Sequence, residues 1–272
     1  MKTTFKIAVA ALAMLGTTSA ARADLTYQGA VGLPLNPTAQ IPLPGGVRVQ
    51  ADYSDLGEAF NSDAKFYGIH GAGRLGERLE INGGVSKLDA DGFLGDFDRT
   101  GIDIGAKYLL TRETDPAGVR FAVGAGYSHA LFKNIHAYAV GTKSFGTGIA
   151  EGRAPITGHL GLRFDRYRFG DGFFGDDSNK LSIYGGVEVP FTRTGDFAFV
   201  GELQSKTVED GGKFPYSASV RYRPVGQGFS ASVGIKRQGL LSDNGLFAQI
   251  GYSFGHSDDN TAADTETNAT IQ

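Results

Sequence analysis

Cysteine is absent from the 272 residues, which excludes disulfide scaffolds, thiolate metal sites, cysteine nucleophiles and an acylated lipoprotein N-terminus together. Tryptophan is absent as well. A cationic excess is missing: 26 Lys and Arg stand against 29 Asp and Glu, a formal net charge of −3. Phosphate-backbone affinity needs positive charge concentrated on one face, so no nucleic-acid partner is expected. Proline is scarce, at 9, and no collagen-like period appears. Past the N-terminus no apolar run approaches the roughly 18 residues of a membrane-crossing helix. What is abundant is glycine, with 41 residues, in a chain that is 41% hydrophobic and not of low complexity. Because interior glycine weakens a helix, this composition favours β-structure.

The chain opens on Met1-Lys2-Thr3-Thr4-Phe5-Lys6, then an apolar run from Ile7 to Gly16, then small residues ending Ala21-Arg22-Ala23. A basic start, a short apolar core and an A-x-A site predict a secretory signal peptide over 1–23, cleaved before Asp24. Four of the nine prolines, Pro34, Pro37, Pro42 and Pro44, lie within a few residues of one another soon after. Residues 24–45 therefore form neither helix nor central strand and are expected to run extended, as a plug or as a linker into the first strand.

From Gly46 to Phe254 the sequence breaks into runs that alternate apolar and polar with period two. In Val119-Arg120-Phe121-Ala122-Val123-Gly124-Ala125-Gly126-Tyr127 one face is Val, Phe, Val, Ala, Tyr and the other Arg, Ala, Gly, Gly. Such a strand faces two different solvents. The dyad recurs from Val47, Ile102, Tyr216, Phe229 and Leu246, with less regular members near Lys65, Leu79, Ile135, Ile156, Leu181 and Phe197, about twelve strands in all. The region around Ile135 also admits a helix. Short turns at Leu75–Arg78, Thr192–Asp196 and Pro224–Gly228 alternate with acidic, glycine-rich stretches, Asp89–Thr100 and Tyr167–Lys180, read as longer loops.

The apolar face carries charge only at strand ends, at Lys87, Arg166 and Arg237, with Tyr53, Tyr108, Tyr127, Tyr222, Tyr252 and Phe254 near those ends. The opposite face carries Arg48, Asp52, Glu80, Asn82, Asp103, Lys107, Arg120, His159, Arg163, Glu188, Glu202, Arg221 and Lys236. An apolar exterior in hydrocarbon forces every backbone hydrogen bond to close internally, and a closed antiparallel transmembrane β-barrel does so. The expected fold is all-β, with the barrel over 46–254 and a polar C-terminal tail over 255–272. Arg at Val123 is expected to harm assembly, and charge at Gly124 to be tolerated.

On these features residues 46–254 resemble the Gram-negative outer-membrane β-barrels of the porin-like class. They depart from it in lacking tryptophan and in following Phe254 with a tail. Gly29-Ala30-Val31-Gly32-Leu33-Pro34-Leu35-Asn36-Pro37-Thr38-Ala39-Gln40, with Pro44-Gly45-Gly46, resembles the opening of an exopolysaccharide-associated outer-membrane barrel family. The class implies the outer membrane as location, outer-membrane lipids and lipopolysaccharide as surroundings, and the barrel-assembly machinery and periplasmic chaperones as partners in biogenesis.

The candidate site is the lumen, lined by Arg48, Asp52, Glu80, Asp103, Lys107, Arg120, His159, Arg163, Glu188, Glu202, Arg221 and Lys236. Arg223 joins this face, so the lumen reads as mixed in charge and mildly cationic. The function expected is a passive channel with weak anion preference, and Glu at Arg120, Arg163 and Arg221 is expected to reverse that preference without harming the fold. The alternatives are a lipid- or envelope-modifying hydrolase and a non-conducting structural or polysaccharide-associated barrel. Ser128-His129 is an adjacent hydroxyl–imidazole pair, but neighbours on a strand point to opposite faces. No catalytic residue, cofactor or resident metal is assigned. Asp91, Asp96 and Asp98, repeated as Asp171, Asp176 and Asp177 in a second Asp-Gly-Phe stretch, supply loop carboxylates without the spacing of an EF-hand.

Overall fold

The computed structural model describes residues 24–43, 45–59, 62–92, 97–112, 114–115, 118–129, 133–145, 154–168, 178–205, 213–224, 227–238 and 244–255. The expected leader, the tail beyond Gly255, Pro44, Asp96, Asp171, Asp176 and Asp177 lie outside them, as does the side chain of Asp91.

Twelve strands succeed one another: β1 Val47–Ala59, β2 Ser62–Leu75, β3 Leu79–Gly92, β4 Phe97–Thr111, β5 Arg120–His129, β6 Lys133–Phe145, β7 Ile156–Arg168, β8 Ser178–Pro190, β9 Phe197–Gln204, β10 Tyr216–Tyr222, β11 Phe229–Arg237 and β12 Gly245–Phe254. Each pairs antiparallel with its sequence neighbours, and β1 pairs with β12 from Val47↔Phe254 to Ser54↔Phe247, closing the barrel. Closure leaves no free sheet edge. The region around Ile135 is strand: β6 buries Asn134, His136, Tyr138, Val140 and Thr142 and exposes Ile135, Ala137 and Ala139, a period of two that a helix cannot present.

One end of the barrel carries the tight turns and, with them, the start of β1 and the finish of β12. Gly76 and Gly195 sit in two of these turns at φ +61° and +79°, in the left-handed region that glycine enters without steric cost. Of the stretches read as long loops, Asp89–Thr100 is mostly strand, since β3 runs to Gly92 and β4 starts at Phe97, and Tyr167–Lys180 is strand at both ends, where β7 runs to Arg168 and β8 starts at Ser178. Acidic, glycine-rich sequence need not leave a ladder once the strands overrun the apolar belt, because both faces there meet water. Lys87 and Asp98 bridge β3 and β4 in that overrun at 2.7 Å.

The outward side chains form the belt. Leu160 and Leu181 are 67% and 68% exposed, and Ile104, Val233 and Leu246 are similarly bare. A water-soluble barrel does not leave so much contiguous apolar surface uncovered. At the turn end, aromatic rings succeed one another around the rim: Phe191 to Phe197 at 5.9 Å, Phe197 to Tyr222 at 4.6 Å, Tyr222 to Phe229 at 6.4 Å, then Tyr252 to Phe254 at 4.8 Å. Aromatic residues gather in this way at a membrane–water boundary.

Inside, rings lie flat over glycines of the neighbouring strand. A Cβ at Gly124 would collide with the Tyr138 ring, and one at Gly161 with the Tyr184 ring. Charge at Gly124 is therefore expected to be poorly tolerated, unlike the expectation from its polar face, because the space above it belongs to Tyr138 and the Ala106 carbonyl.

Candidate functional site: the barrel lumen

The dyad delivers the expected residues to the inside of the wall. Arg48, Asp52, Glu80, Lys107, His159, Arg163, Glu188, Glu202, Arg221 and Lys236 are all buried, while Asp103 and Arg120, at inward positions of β4 and β5, are half-buried. Ser128 and His129 point to opposite sides of β5 and form no hydroxyl–imidazole pair.

The lumen holds the chain's own N-terminal residues. Leu25, Val31, Leu33, Asn36, Thr38 and Ala39 have no exposed surface, and Asp24, Gln28, Ala30 and Leu35 have almost none. The segment does not run extended. It folds back on itself through single bridges between Leu25 and Val31 and between Gly32 and Pro37, with Thr26 N–H donating to Ala30 O at 2.7 Å and Leu33 N–H to Asn36 O at 2.9 Å. A buried chain must satisfy its peptide groups, and an extended one crossing a lumen of side chains has too few partners.

The wall supplies the remaining partners. Glu80 Oε1 accepts from Val31 N–H at 3.0 Å, and Lys107 Nζ, 2.8 Å from Glu80, donates to Val31 O at 2.9 Å. One ion pair therefore clamps both groups of one peptide-bearing residue. Glu202 accepts from the N–H groups of Leu35 and Asn36 at 2.7 and 3.1 Å and from Asn36 Nδ2 at 3.2 Å. Gln50 exchanges two bonds with Leu25, Arg163 donates to Gln28 Oε1 at 2.8 Å, and Tyr184 donates to Pro37 O at 3.0 Å. Ala39 packs with Leu109, Ala122, Tyr138, Val140 and Tyr184 in an apolar cluster inside the barrel.

The charges are arranged in pairs. Asp24 meets Arg48 at 2.6 Å and Arg221 at 3.1 Å; Arg221 also bonds Glu188, and Arg163 holds Asp165 at 2.8 Å. Asp24, outside the strands, and Asp165, on the inner face of β7, thus meet the cations that stood as a surplus among the residues expected in the lumen. Glu at Arg163 or Arg221 would face Asp165, or Asp24 and Glu188, so replacing these arginines is expected to disturb assembly as well as ion preference. Three arginines lie around Asp24, which is outside the strands. Burial raises its pKa, but Arg221, Arg48 and Arg223 prevail and hold it at about 2. A carboxylate held below its unfolded value of about 3.9 contributes stability above that value and loses it as pH falls toward the folded one. The part of the protection of residues 24–41 from protease that Asp24 supplies, read as the difference between the wild type and Asp24→Asn, is accordingly expected to be flat from about pH 8 to 5 and to fall only below about pH 4.

His159 joins a hydroxyl to a carboxylate: Thr142 Oγ1 lies 3.0 Å from Nδ1, and Nε2 lies 3.2 Å from Glu188 Oε1. Thr142 Oγ1 also accepts from Ala39 N–H at 3.0 Å, and because a carboxylate only accepts, it is Nε2 of His159 that donates to Glu188. Thr142 has no exposed surface, and this hydroxyl anchors the segment instead of facing a substrate. Above the segment, toward the loops, a polar cavity of about 60 Å³ is lined by Tyr27, Arg163, Asp165, Tyr167, Lys180 and Gln204 among others. Of the loop carboxylates, Asp98 is described and pairs with Lys87.

Sequence reasoning missed Asp24, Gln50, Asp165 and Tyr184 as lumen residues. Asp165 lies on the same dyad as His159 and Arg163 and was open to that signal, whereas nothing local marks Asp24.

The chain matches no family model and no curated protein sequence, the opening resemblance to an exopolysaccharide-associated family included. Solved structures do match in fold. A KdgM porin superposes with a TM-score of 0.54 at 13% identity, over 76% of this chain and 99% of that one. An outer-membrane channel from Pseudomonas putida F1 gives 0.51 at 12% identity, over 81% and 100%. A NanC porin gives 0.50 at 12% identity, over 77% and 99%. The fold is that of an outer-membrane porin-like β-barrel.

Proposed function

We propose that the protein is a porin-like channel of the bacterial outer membrane, exported by its leader and passing small hydrophilic solutes. The observation that carries this reading is a closed twelve-strand barrel with apolar side chains outside and charged, hydrogen-bonding ones inside. Enzymes of such barrels need a reactive group open to lipid or water, and the Thr142–His159–Glu188 line is enclosed. The named structural neighbours are porins and a channel, which supports transport over hydrolysis. Ion preference is weak, because Arg48, Lys107, Arg163 and Arg221 each face a carboxylate. Lipids and lipopolysaccharide surround the belt, and the assembly machinery and periplasmic chaperones serve its insertion.

The filled lumen favours one second reading, a non-conducting structural barrel. Planar-bilayer recording of the mature protein and of a variant lacking residues 24–41, both checked for heat-modifiable migration on SDS gels, separates the two. Stable open steps, more frequent in the truncated form, are expected. A folded barrel silent in both forms would overturn the channel reading.

A further inference from the structure

The bonds of the lumenal segment fall into two kinds. Among the described residues, each backbone–backbone hydrogen bond made by residues 24–39 closes within the segment. Its bonds to the wall run through wall side chains, as with Gln50, Glu80, Lys107, Thr142 and Glu202. The twelve ladders close around it without its help. A segment built into a sheet would share a ladder; this one is a folded unit seated in a finished barrel, and water or a solute can replace each group that holds it. It leads into β1 past Ile41, Pro42 and Leu43, where Gly45 has φ +66° and three hydrogen bonds hold the approach: Arg74 Nη1 donates to Pro42 O at 3.3 Å, Gly46 N–H to Leu43 O at 2.8 Å and Arg74 N–H to Gly46 O at 3.2 Å, bonds that lie outside the plug itself.

The segment's first described residue is held by charge. The Asp24 carboxylate sits against Arg48, Arg221 and Ser230, which come from β1, β10 and β11. Arg223 lies behind them, 3.8 Å from Glu188. Without Asp24, three guanidinium groups would face Glu188 and His159, with Asp52 on β1 beyond. Fork-shaped donors fixed in this way match a carboxylate. We propose that residues 24–41 are a displaceable plug whose latch is a carboxylate-binding site: Arg48, Arg221 and Ser230 hold Asp24 in the closed lumen and accept a carboxylate-bearing solute when the plug withdraws. The proposal rests on the channel reading for its purpose, but the latch itself is measured without current.

With no native cysteine, Leu33→Cys places a single thiol in the plug, at a position with no exposed surface. Its reaction with a water-soluble maleimide reports withdrawal. In folded, heat-modifiable protein, labelling is expected to be slow, several-fold faster in an Asp24→Asn background, and faster with succinate than with chloride at equal ionic strength. A second variant, Asp24→Cys with Ser230→Cys, replaces the latch by a disulfide, since Asp24 Oδ1 and Ser230 Oγ are 2.7 Å apart. Oxidised, it is expected to be closed in planar bilayers and, reduced, to open more often than the wild type. Labelling that ignores both Asp24→Asn and succinate would overturn the latch whether or not the barrel conducts. Labelling that responds to Asp24→Asn but ignores succinate would overturn the carboxylate site. Silence of the reduced disulfide variant, with labelling as expected, would instead count against the channel reading.

Discussion

Replacing Lys107 with alanine is expected to destabilise the folded barrel by about 3–5 kcal/mol, the usual cost of stripping one partner from a buried ion pair. Lys107 and Glu80 have no exposed side-chain surface, and their 2.8 Å contact is what offsets the desolvation of each charge. The loss reaches further than the pair. Lys107 donates to Val31 O, and Glu80, whose Oε1 also accepts from Asn82, takes the Val31 N–H, so removing the lysine leaves a buried carboxylate and a carbonyl without its donor. Urea unfolding in detergent micelles measures the first effect, and protease sensitivity of residues 24–41 measures the second. Lys107→Met combined with Glu80→Leu is expected to regain much of the stability, because an apolar pair of similar volume carries no desolvation cost, yet to leave the plug loosely seated. Loss of both properties together in the double variant would show that the pair holds the wall, and that the plug merely depends on it. An unchanged unfolding midpoint in Lys107→Ala would mean that water reaches this part of the lumen.

Much of this architecture could be read from residue order, and the boundary is physical. A strand exposed to two solvents writes its faces into a period of two, so the strand set, the inward positions of Arg48, Glu80, Lys107 and Arg163, and the outward position of Val123 emerge from local sequence. Closure is required because an apolar exterior forbids a free edge. What cannot be read locally is pairing between distant residues. The sequence places Asp24 among small residues, and only the path of the chain through the lumen brings it to Arg48 and Arg221. The apolar cluster of Leu109, Tyr138, Val140 and Tyr184 was likewise hidden, since its members share the inward face with polar residues two positions away: Lys107 for Leu109, His136 for Tyr138, Thr142 for Val140 and Ser182 for Tyr184. Its rings also explain inward glycines: Gly124 and Gly161 are the beds of Tyr138 and Tyr184, set by register and not by turn chemistry.

Arginine at Val123 is expected to cost about 2–4 kcal/mol and to impair assembly in a bilayer, whereas arginine at Leu75 is expected to cost about 0–1 kcal/mol. Both residues point outward, at 39% and 59% exposure, so in water both substitutions would be nearly neutral and the more exposed Leu75 no worse than Val123. The belt makes them different. Val123 lies within β5, opposite Tyr108 and Ala139 on the adjoining strands, where a guanidinium would have hydrocarbon around it. Leu75 closes β2 beside the tight turn at Gly76, where a long side chain reaches the headgroups and water. The measurement is refolding yield into lipid vesicles, scored by heat-modifiable migration, with unfolding free energy for the fraction that assembles. A large loss at Val123 with little at Leu75 reads the depth of the bilayer directly from the wall. Equal and small effects at the two positions would mean that the apolar face meets water or protein, and the membrane placement of the barrel would fall with it.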